Sequence, residues 1–547
     1  MKLFIVESPT KIKTISKITK SLGDSFSFVA TLGHIKELPF KSLGVDLENF
    51  EPKLVLLSQK RALIKELSLL MKRVREVYLA TDPDREGEAI SFHLYELLKD
   101  SQTSLHFYRI DLQEITALGV KRALKTPRQI DMDLYISWKA RRVLDRLVGY
   151  LLSPYLSKNF RRALSAGRVQ SPALRLIVER EEEIETFTPK KRYSLKVKVV
   201  DSSCREYDLE LYHKKELFKS EDKEELINFY KKYLQNESLW IENIETKKLK
   251  EYPPFPLKTS TLIEASGKQL GLTPKETMKL AQSLYEKGHI TYMRTDSVRV
   301  SPLAKKNARS YLEKVFGKEY LGKDRVSKKS AFVQDAHECI RPTDITREPY
   351  GLSSKERALY QLIWQTFLAS LMSPAEFEEK RYLFSGEKMP PSYYLVIREK
   401  RMIFDGFLRL LPKEKRSSEL SEPPSGETYK VITYRIEEHE TKPPERYTPQ
   451  SLIMKMESLG IGRPSTYANM LDILFAREYI TKEGKYLKPT NLGREVVSFL
   501  KKRASPFIDY QFTAKMEEAL DEISQRKREY VSFLKEIYNT LKAHTTP

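Results

Sequence analysis

The chain has 547 residues, 40% of them hydrophobic, enough for three or four domains with cores of their own, so wholesale disorder is excluded. Lys and Arg outnumber Asp and Glu by 96 to 75, and the net charge of +21 points to a polyanionic partner. No window nears the roughly 18 apolar residues of a spanning helix, and Leu3-Phe4-Ile5-Val6 stops at Glu7, too short for a secretory core, so the chain is expected to be cytoplasmic, with no membrane partner.

In chain order, Lys2–Val6 predicts a strand, and a helix with Ile12, Ile15 and Ile18 on one stripe follows, ending near Gly23. A second strand over Val77–Thr81 runs through Asp82-Pro83-Asp84-Arg85-Glu86-Gly87 into a helix whose stripe is Ile90, Leu94, Leu97 and Leu98. This is α/β grammar, in which function tends to sit at strand ends. From Trp138 to about Phe187 the pattern is helical, and Ser171-Pro172 reads as cap and first-turn proline of a helix over Ala173–Ile184. Residues 192–200, Tyr394–Arg398 and Tyr429–Ile436 alternate with period two, so two separated pieces are expected to form one antiparallel unit. Its exits are the proline-rich stretches around Pro253-Pro254 and Pro443-Pro444, and the polar stretch between Pro412 and Thr428 reads as a solvated loop.

A repeat lies inside this order. Leu270-Gly271-Leu272-Thr273-Pro274 opens a stretch ending at His289-Ile290-Thr291, and Leu459-Gly460-Ile461-Gly462-Arg463-Pro464 opens one ending at Tyr479-Ile480-Thr481. Both spell helix, glycine turn, helix, strand, with the proline at the start of the second helix. The pair reads either as a duplicated nucleic-acid-binding unit or as chance agreement of two ordinary helix-turn-helix units. Lys482–Leu487 and a helix from Asn491 resemble the wing of a winged helix.

A basic chain that gathers Glu7, Asp82, Asp84, Glu86 and Glu88 at two strand ends needs a reason. Hard carboxylate oxygens on short loops suit Mg²⁺; the plainer alternative is that Asp82 and Asp84 only cap the following helix. With two cysteines, Cys204 and Cys339, no Cys₄ zinc site is available. Ile290–Ser297 should be extended, which puts Tyr292, Arg294 and Asp296 on one face, with a guanidinium placed to stabilise a phenolate and phosphate oxygens together. Most of the 30 tyrosines are packing residues, so spacing alone does not single out Tyr292. His337-Glu338-Cys339-Ile340-Arg341 fails as a zinc-protease helix because Arg341 stands where the second His must be, and Gly317–Asp324 fails as a Walker loop because Asp324 replaces Ser/Thr. No ATP engine is expected. Arg141, Arg142, Asp145 and Arg146 line one helix side opposite its apolar stripe, and Ser165, Gly167, Arg168, Gln170 and Ser171 lead into a helix start fit for a phosphate.

Taken together, Val6-Glu7-Ser8-Pro9-Thr10-Lys11, Gly33-His34-Ile35, Thr81–Ala89, Ser165–Gln170, Thr291–Ser297, His337–Pro342 and Gly460–Tyr467 resemble, in order, the bacterial type IA DNA topoisomerases. The resemblance implies a multidomain α/β plus α and β fold: a Toprim domain over residues 1–137, and a helical, partly winged-helix-like DNA-binding domain over 138–190 and 446–547. It further implies a β arch over 191–252 and 376–445 and a nucleophile-bearing domain over 253–375, together closing a torus. It implies Tyr292 as the nucleophile of a 5′-phosphotyrosine link, Glu7 and Lys11 beside the scissile phosphate, and Arg294 and His337 holding that phosphate. Glu7, Asp82, Asp84 and Glu86 would hold Mg²⁺. Arg141, Arg142, Asp145, Arg146, Ser165, Gly167, Arg168 and Gln170 would form a single-strand track, with His34, Arg463 and Thr466 as further DNA contacts, and Lys482 would stand in the later repeat where Tyr292 stands in the first. Relaxation of negatively supercoiled DNA without ATP follows, on single-stranded or underwound DNA, by a nucleoid-associated monomer. A topoisomerase III-like decatenase and a Toprim DNA-binding protein without strand passage are the alternatives. Many members carry Cys₄ zinc ribbons after this core, whereas no cysteine follows Cys339 here, so passage of the second strand is expected to use other surfaces.

Overall fold

The computed structural model describes residues 2–101, 105–325, 337–411 and 422–545, so most of the polar stretch beginning at Pro412 lies outside them. Strand β1 (Lys2–Val6) is apolar after Lys2 because both its faces are covered: Phe4 and Val6 enter one core, Leu3 and Ile5 another. Helix α1 (Pro9–Ser21) follows, its first turn capped by Ser8 Oγ, which accepts from Lys11 N at 3.2 Å. Strand β2 (Phe26–Ala30), a short pair β3 (Lys36–Glu37) and β4 (Val55–Leu56), and helix α2 (Arg61–Met71) lead to β5 (Glu76–Leu79). Then come α3 (Arg85–Leu98), β6 (His106–Arg109) and α4 (Ala117–Lys125). The main sheet runs β2-β1-β5-β6, all parallel. The acidic turn therefore sits at the carboxyl ends of its two central strands, β1 and β5.

Helix α5 (Met132–Phe160) buries Val143, Leu144, Leu147 and Val148 completely, and α6 (Gln170–Glu185) lies in the same core. That helix begins at Gln170, one residue before the expected cap. Ser171 Oγ instead accepts from Gly167 N, 3.2 Å away, so the serine fastens the loop to the helix rather than closing its end.

The sheet formed by the two separated pieces comprises β7 (Lys191–Val200), β8 (Glu206–His213), β9 (Glu216–Leu217), β10 (Ser238–Glu251), β11 (Ala375–Gly386), β12 (Tyr393–Phe404) and β13 (Thr428–Glu440). Its order is β12-β11-β10-β13-β7-β8-β9, and β12 also pairs with β8, closing a ring. Helix α7 (Lys223–Tyr233) packs into it through Leu226 and Tyr230. Strands β10 and β13 pair only over Ser238–Trp240 and Thr428–Lys430, after which β10 continues with β11 and β13 with β7. The sheet thus forks into two legs.

One leg leads to the part that carries Tyr292, built of α8 (Thr259–Leu270), α9 (Pro274–Glu286), α10 (Pro302–Phe316) and α11 (Ser354–Ser370). The other returns to the helical core through α12 (Pro449–Ser458), α13 (Tyr467–Ala476), the hairpin β14 (Ile480–Glu483) and β15 (Tyr486–Pro489), then α14 (Asn491–Arg503), α15 (Tyr510–Ser524) and α16 (Tyr530–Thr545). The circuit closes by docking. Tyr285 Oη donates to Leu112 O (2.6 Å), Thr14 Oγ1 to Glu286 O (2.8 Å), and Gln450 Nε2 to Leu272 O (2.9 Å).

Both repeats form helix, glycine turn, helix, but they differ in detail. Pro274 opens α9, whereas Pro464 lies in a turn and α13 begins at Tyr467, because Thr466 Oγ1 accepts from Arg463 N at 2.9 Å and holds the chain out of the helix. The expected strand survives in the later copy as β14. In the first it is reduced to a single bridge, Ile290 with Pro342.

His93, on α3, is fully buried, edge-on to Tyr135 and Trp138, and neither ring nitrogen has a hydrogen-bond partner among the described residues. Burial lowers its pKa to about 3. A histidine that must stay neutral when folded loses stability as pH falls below its unfolded value near 6.5, continuing toward pH 3. At pH 5 the loss is about 2 kcal/mol. His93→Phe is expected to flatten this part of the stability profile, as measured by denaturant unfolding at pH 5 and pH 7.5.

Candidate active site

The acidic turn is shaped by its glycine. A Cβ at Gly87 would stand 2.0 Å from the carbonyl oxygen of Asp82, so only glycine lets the turn close on the start of α3. Asp84 then serves as N-cap, accepting from Gly87 N at 2.9 Å. The capping alternative is correct for Asp84, but its other oxygen is used differently: Tyr292 Oη donates to Asp84 Oδ2 at 2.5 Å. Arg294 Nη1 lies 3.4 Å from the same oxygen and 3.1 Å from Glu86 Oε2. Two residues apart in an irregular extended segment, Tyr292 and Arg294 thus face the same acids.

That segment is locked by its backbone. Tyr292 N donates to Gln113 O (2.9 Å) and Thr291 N to Arg341 O (3.0 Å), and Thr291 Oγ1 donates to Cys339 O (2.7 Å). Gly288 makes the approach possible: at φ +80°, a Cβ there would meet Ile115 O at 2.4 Å. The Tyr292 ring is 2% exposed, edge-on to Tyr285 at 5.2 Å and 6.2 Å from the His337 ring. Burial, and then the charge of Asp84, push its phenol well above the usual 10. Asp84 moves the other way, because Arg294 and the Tyr292 hydroxyl outweigh the penalty of burial and hold it below the usual carboxylate value.

On the far side of Asp84, Lys11 is 1% exposed, hydrogen-bonded to Asp82 and 4.0 Å from Glu7. Glu7 accepts from Asp82 N at 3.2 Å. Burial, and then the charge of Asp82, raise its carboxyl well above the usual range. Among the described residues, no three metal-ligating side chains gather as one cation site. The expected cage of Glu7, Asp82, Asp84 and Glu86 is therefore not assembled, because Lys11 engages Asp82 while Arg294 and Tyr292 engage Asp84. The donor set itself, hard oxygens under mutual repulsion, still fits a divalent cation. Glu88 faces away and is held by Arg109 (3.0 Å) and Arg128 (2.8 Å). Sequence reasoning missed Arg109, which is fully buried and donates to the carbonyls of Thr81 and Asp82 beneath the turn.

Beside the acids opens a cleft of about 440 Å³ where α3, α5, the 165–170 loop, the Arg294 segment and the turn before α13 meet. Asp84, Glu86, Arg294 and His337 form one wall, and Arg141, Arg142, Asp145, Gly167, Arg168 and Gln170 the other. Arg463 and Thr466 close it at the second repeat's turn. Ser165 is absent from the lining and accepts instead from Gln170 Nε2. Arg146 lies in the next groove with Arg142 and Asp145. His34 lies tilted against Trp138 and lines an adjoining cavity with Glu7 and Asp82, which shares Asp84, Glu86 and Arg294 with the cleft. His337 is buried, which lowers its pKa, and its Nδ1 has no partner among the described residues.

A parallel sheet whose acidic turn holds a tyrosine-and-arginine segment directly against it, with a basic cleft alongside, is an arrangement suited to chemistry on a phosphate. Comparison places it more closely. Residues 2–115 match the Toprim domain profile and residues 129–535 the profile described as DNA topoisomerase. The chain is 41% identical to the "DNA topoisomerase 1" of Aquifex aeolicus over 539 residues, covering 98% of this chain and 97% of that one. It is 42% identical to the protein of that name from Thermotoga maritima over 553 residues, with 98% and 84% covered. The solved structure of full-length topoisomerase I from Thermotoga maritima superposes with a TM-score of 0.85 at 38% identity, covering all of this chain and 90% of that one. The chain belongs to the type IA family of bacterial DNA topoisomerases.

Proposed function

We propose that the chain relaxes negatively supercoiled DNA without ATP, by transient cleavage of one strand, passage of the other and resealing. The observation that carries this reading is Tyr292 Oη, sealed from solvent and hydrogen-bonded at 2.5 Å to Asp84, with Arg294 beside both. In the proposed reaction a single strand lies in the cleft, and Arg294 and His337 hold the scissile phosphate. As Arg294 turns from Asp84 to the phosphate and frees that carboxylate to accept a proton, Tyr292 Oη attacks phosphorus and its proton passes to Asp84; the bond to the 3′ oxygen breaks, and the 5′ phosphate stays on the tyrosine. Glu7, whose raised pKa lets it carry a proton, supplies one to the departing 3′ oxygen. Because the phosphotyrosyl ester conserves the bond's energy, resealing needs no nucleotide.

Asp82 and Glu86, joined by Glu7 and Asp84 when these carry no proton, would hold Mg²⁺ once Lys11 and Arg294 turn toward phosphate, and the ion would supply positive charge at the phosphate. Arg141, Arg142, Arg146, Arg168, Gln170 and Arg463 would grip the strand. The basic cleft suits a DNA-bound protein of the nucleoid, which in this reading acts as a monomer; no described helix is long and apolar enough to cross a membrane. Incubation with negatively supercoiled plasmid is expected to give a ladder of topoisomers with Mg²⁺ and none with EDTA. Relaxation that requires ATP, or none under any condition, contradicts the reading. The absence of a ladder alongside efficient unlinking of gapped catenanes favours the decatenase.

A further inference from the structure

Helix α15 carries two acids one turn apart, Glu517 and Asp521, on a face that is otherwise apolar: Met516 and Leu520 beside them are buried. Each holds two guanidinium groups from different parts of the chain. Glu517 Oε2 accepts from Arg141 Nη2 at 2.9 Å and its Oε1 from Arg168 Nη1 at 2.5 Å. Asp521 Oδ1 accepts from Arg85 Nη2 at 2.5 Å and its Oδ2 from Arg463 Nη2 at 2.7 Å. A third acid, Asp145, accepts from Arg168 Nε at 2.9 Å. Four guanidinium charges thus share three carboxylates, and all four arginines line the cleft that contains Asp84, Arg294 and His337. After these bonds are made, Arg85 Nε, Arg141 Nε and Nη1, and Arg168 Nη2 are buried and still have no partner among the described residues, so a phosphate reaches them only by entering the cleft wall.

From this we infer that Glu517 and Asp521 are positioning residues for DNA cleavage: one helix face aligns four arginines from the Toprim helix, α5, the 165–170 loop and the 460–466 turn into a rack for successive phosphates. The inference rests on the proposed strand-cleaving reading. Glu517 is fully buried, so it touches neither DNA nor the reacting atoms, and its effect passes through Arg141 and Arg168. The acids hold the arginines in one geometry and at the same time lower the net positive charge of the cleft. Those two effects oppose each other when the charge is removed, and that opposition marks a positioning role.

Glu517→Gln keeps the shape, but its amide nitrogen faces one of the two guanidinium groups and must release it. Single-strand binding is then expected to tighten about three- to tenfold at low salt. The plot of log affinity against log salt should steepen by about 0.7, the value of one more phosphate neutralised on a single strand. Cleavage of the same oligonucleotide should fall about 100-fold, the scale of a misplaced reacting group. Asp521→Asn is expected to behave alike and serves as the reading if Glu517→Gln does not fold. Unchanged binding slope together with unchanged cleavage overturns the inference, as does parallel loss of both in a variant that melts like the parent. A parent protein that binds single strands but never cleaves them overturns the proposed function instead, while the change in salt slope still decides on the rack.

Discussion

Tyr292→Phe is expected to lose strand cleavage and plasmid relaxation by about a million-fold, the scale on which removal of a covalent nucleophile acts, while single-strand affinity and melting temperature stay close to those of the parent. The substitution deletes one oxygen from a sealed position. The ring keeps its contacts with Tyr285 and His337, and Asp84 keeps the Gly87 amide and Arg294. The check is an oligonucleotide labelled at its 3′ end, incubated with protein and quenched in denaturant. The parent should carry label into the protein band through a 5′ link, and Tyr292→Phe should not. Tyr285→Phe provides the contrast, because that hydroxyl is fully buried and already donates to Leu112 O, so its loss should leave the covalent band in place. A covalent band that survives Tyr292→Phe, or one that forms only with label retained on the other side of the break, removes the tyrosine from its role.

The parts of this site that were legible in the sequence are those written in short-range patterns. A strand running into Glu7, a strand running into Asp82 and a glycine that lets the turn close are local statements, and they suffice to put the acids at strand ends. The two-residue spacing of Tyr292 and Arg294 likewise read correctly as a shared face, even though the segment makes one bridge instead of a strand. Proximity of Tyr292 to Asp84 was not legible, since it depends on a domain 208 residues further along folding back through the forked sheet. Arg109 and Glu517 escaped for another reason. A charged residue on a buried face resembles a break in the hydrophobic pattern, and only its distant partner shows why it is tolerated. The signal was present: Glu517 falls in register with Thr513 and Leu520 on the apolar stripe of α15. At Ser171 and Pro464 the local signature was real but outcompeted, by a loop bond to Gly167 in one case and by the Thr466 turn in the other.

Lys11→Met is expected to lower stability by about 3–5 kcal/mol at neutral pH, the cost of removing one partner from a buried ion pair. The amine is 1% exposed and balances Asp82 directly and Glu7 at 4.0 Å. Without it, Glu7, Asp82 and Asp84 face one another with Arg294 on Asp84 and Arg109 beneath the turn as the nearby cations, and uptake of a proton by Glu7 relieves part of the repulsion, which places the loss toward the lower end of that range. The same vacancy of charge is where a divalent cation would be most welcome. In the parent, Mg²⁺ must compete with Lys11 for Asp82; in Lys11→Met it meets no competitor there. Millimolar Mg²⁺ should therefore raise the melting temperature of Lys11→Met more than that of the parent, by mass action on the folded state, whereas a monovalent salt at equal ionic strength should not. Thermal unfolding of both proteins across a magnesium series separates the possibilities without any assay of DNA. A melting temperature indifferent to Mg²⁺ in both would mean that these carboxylates are structural partners of Lys11 and Arg294 and nothing more.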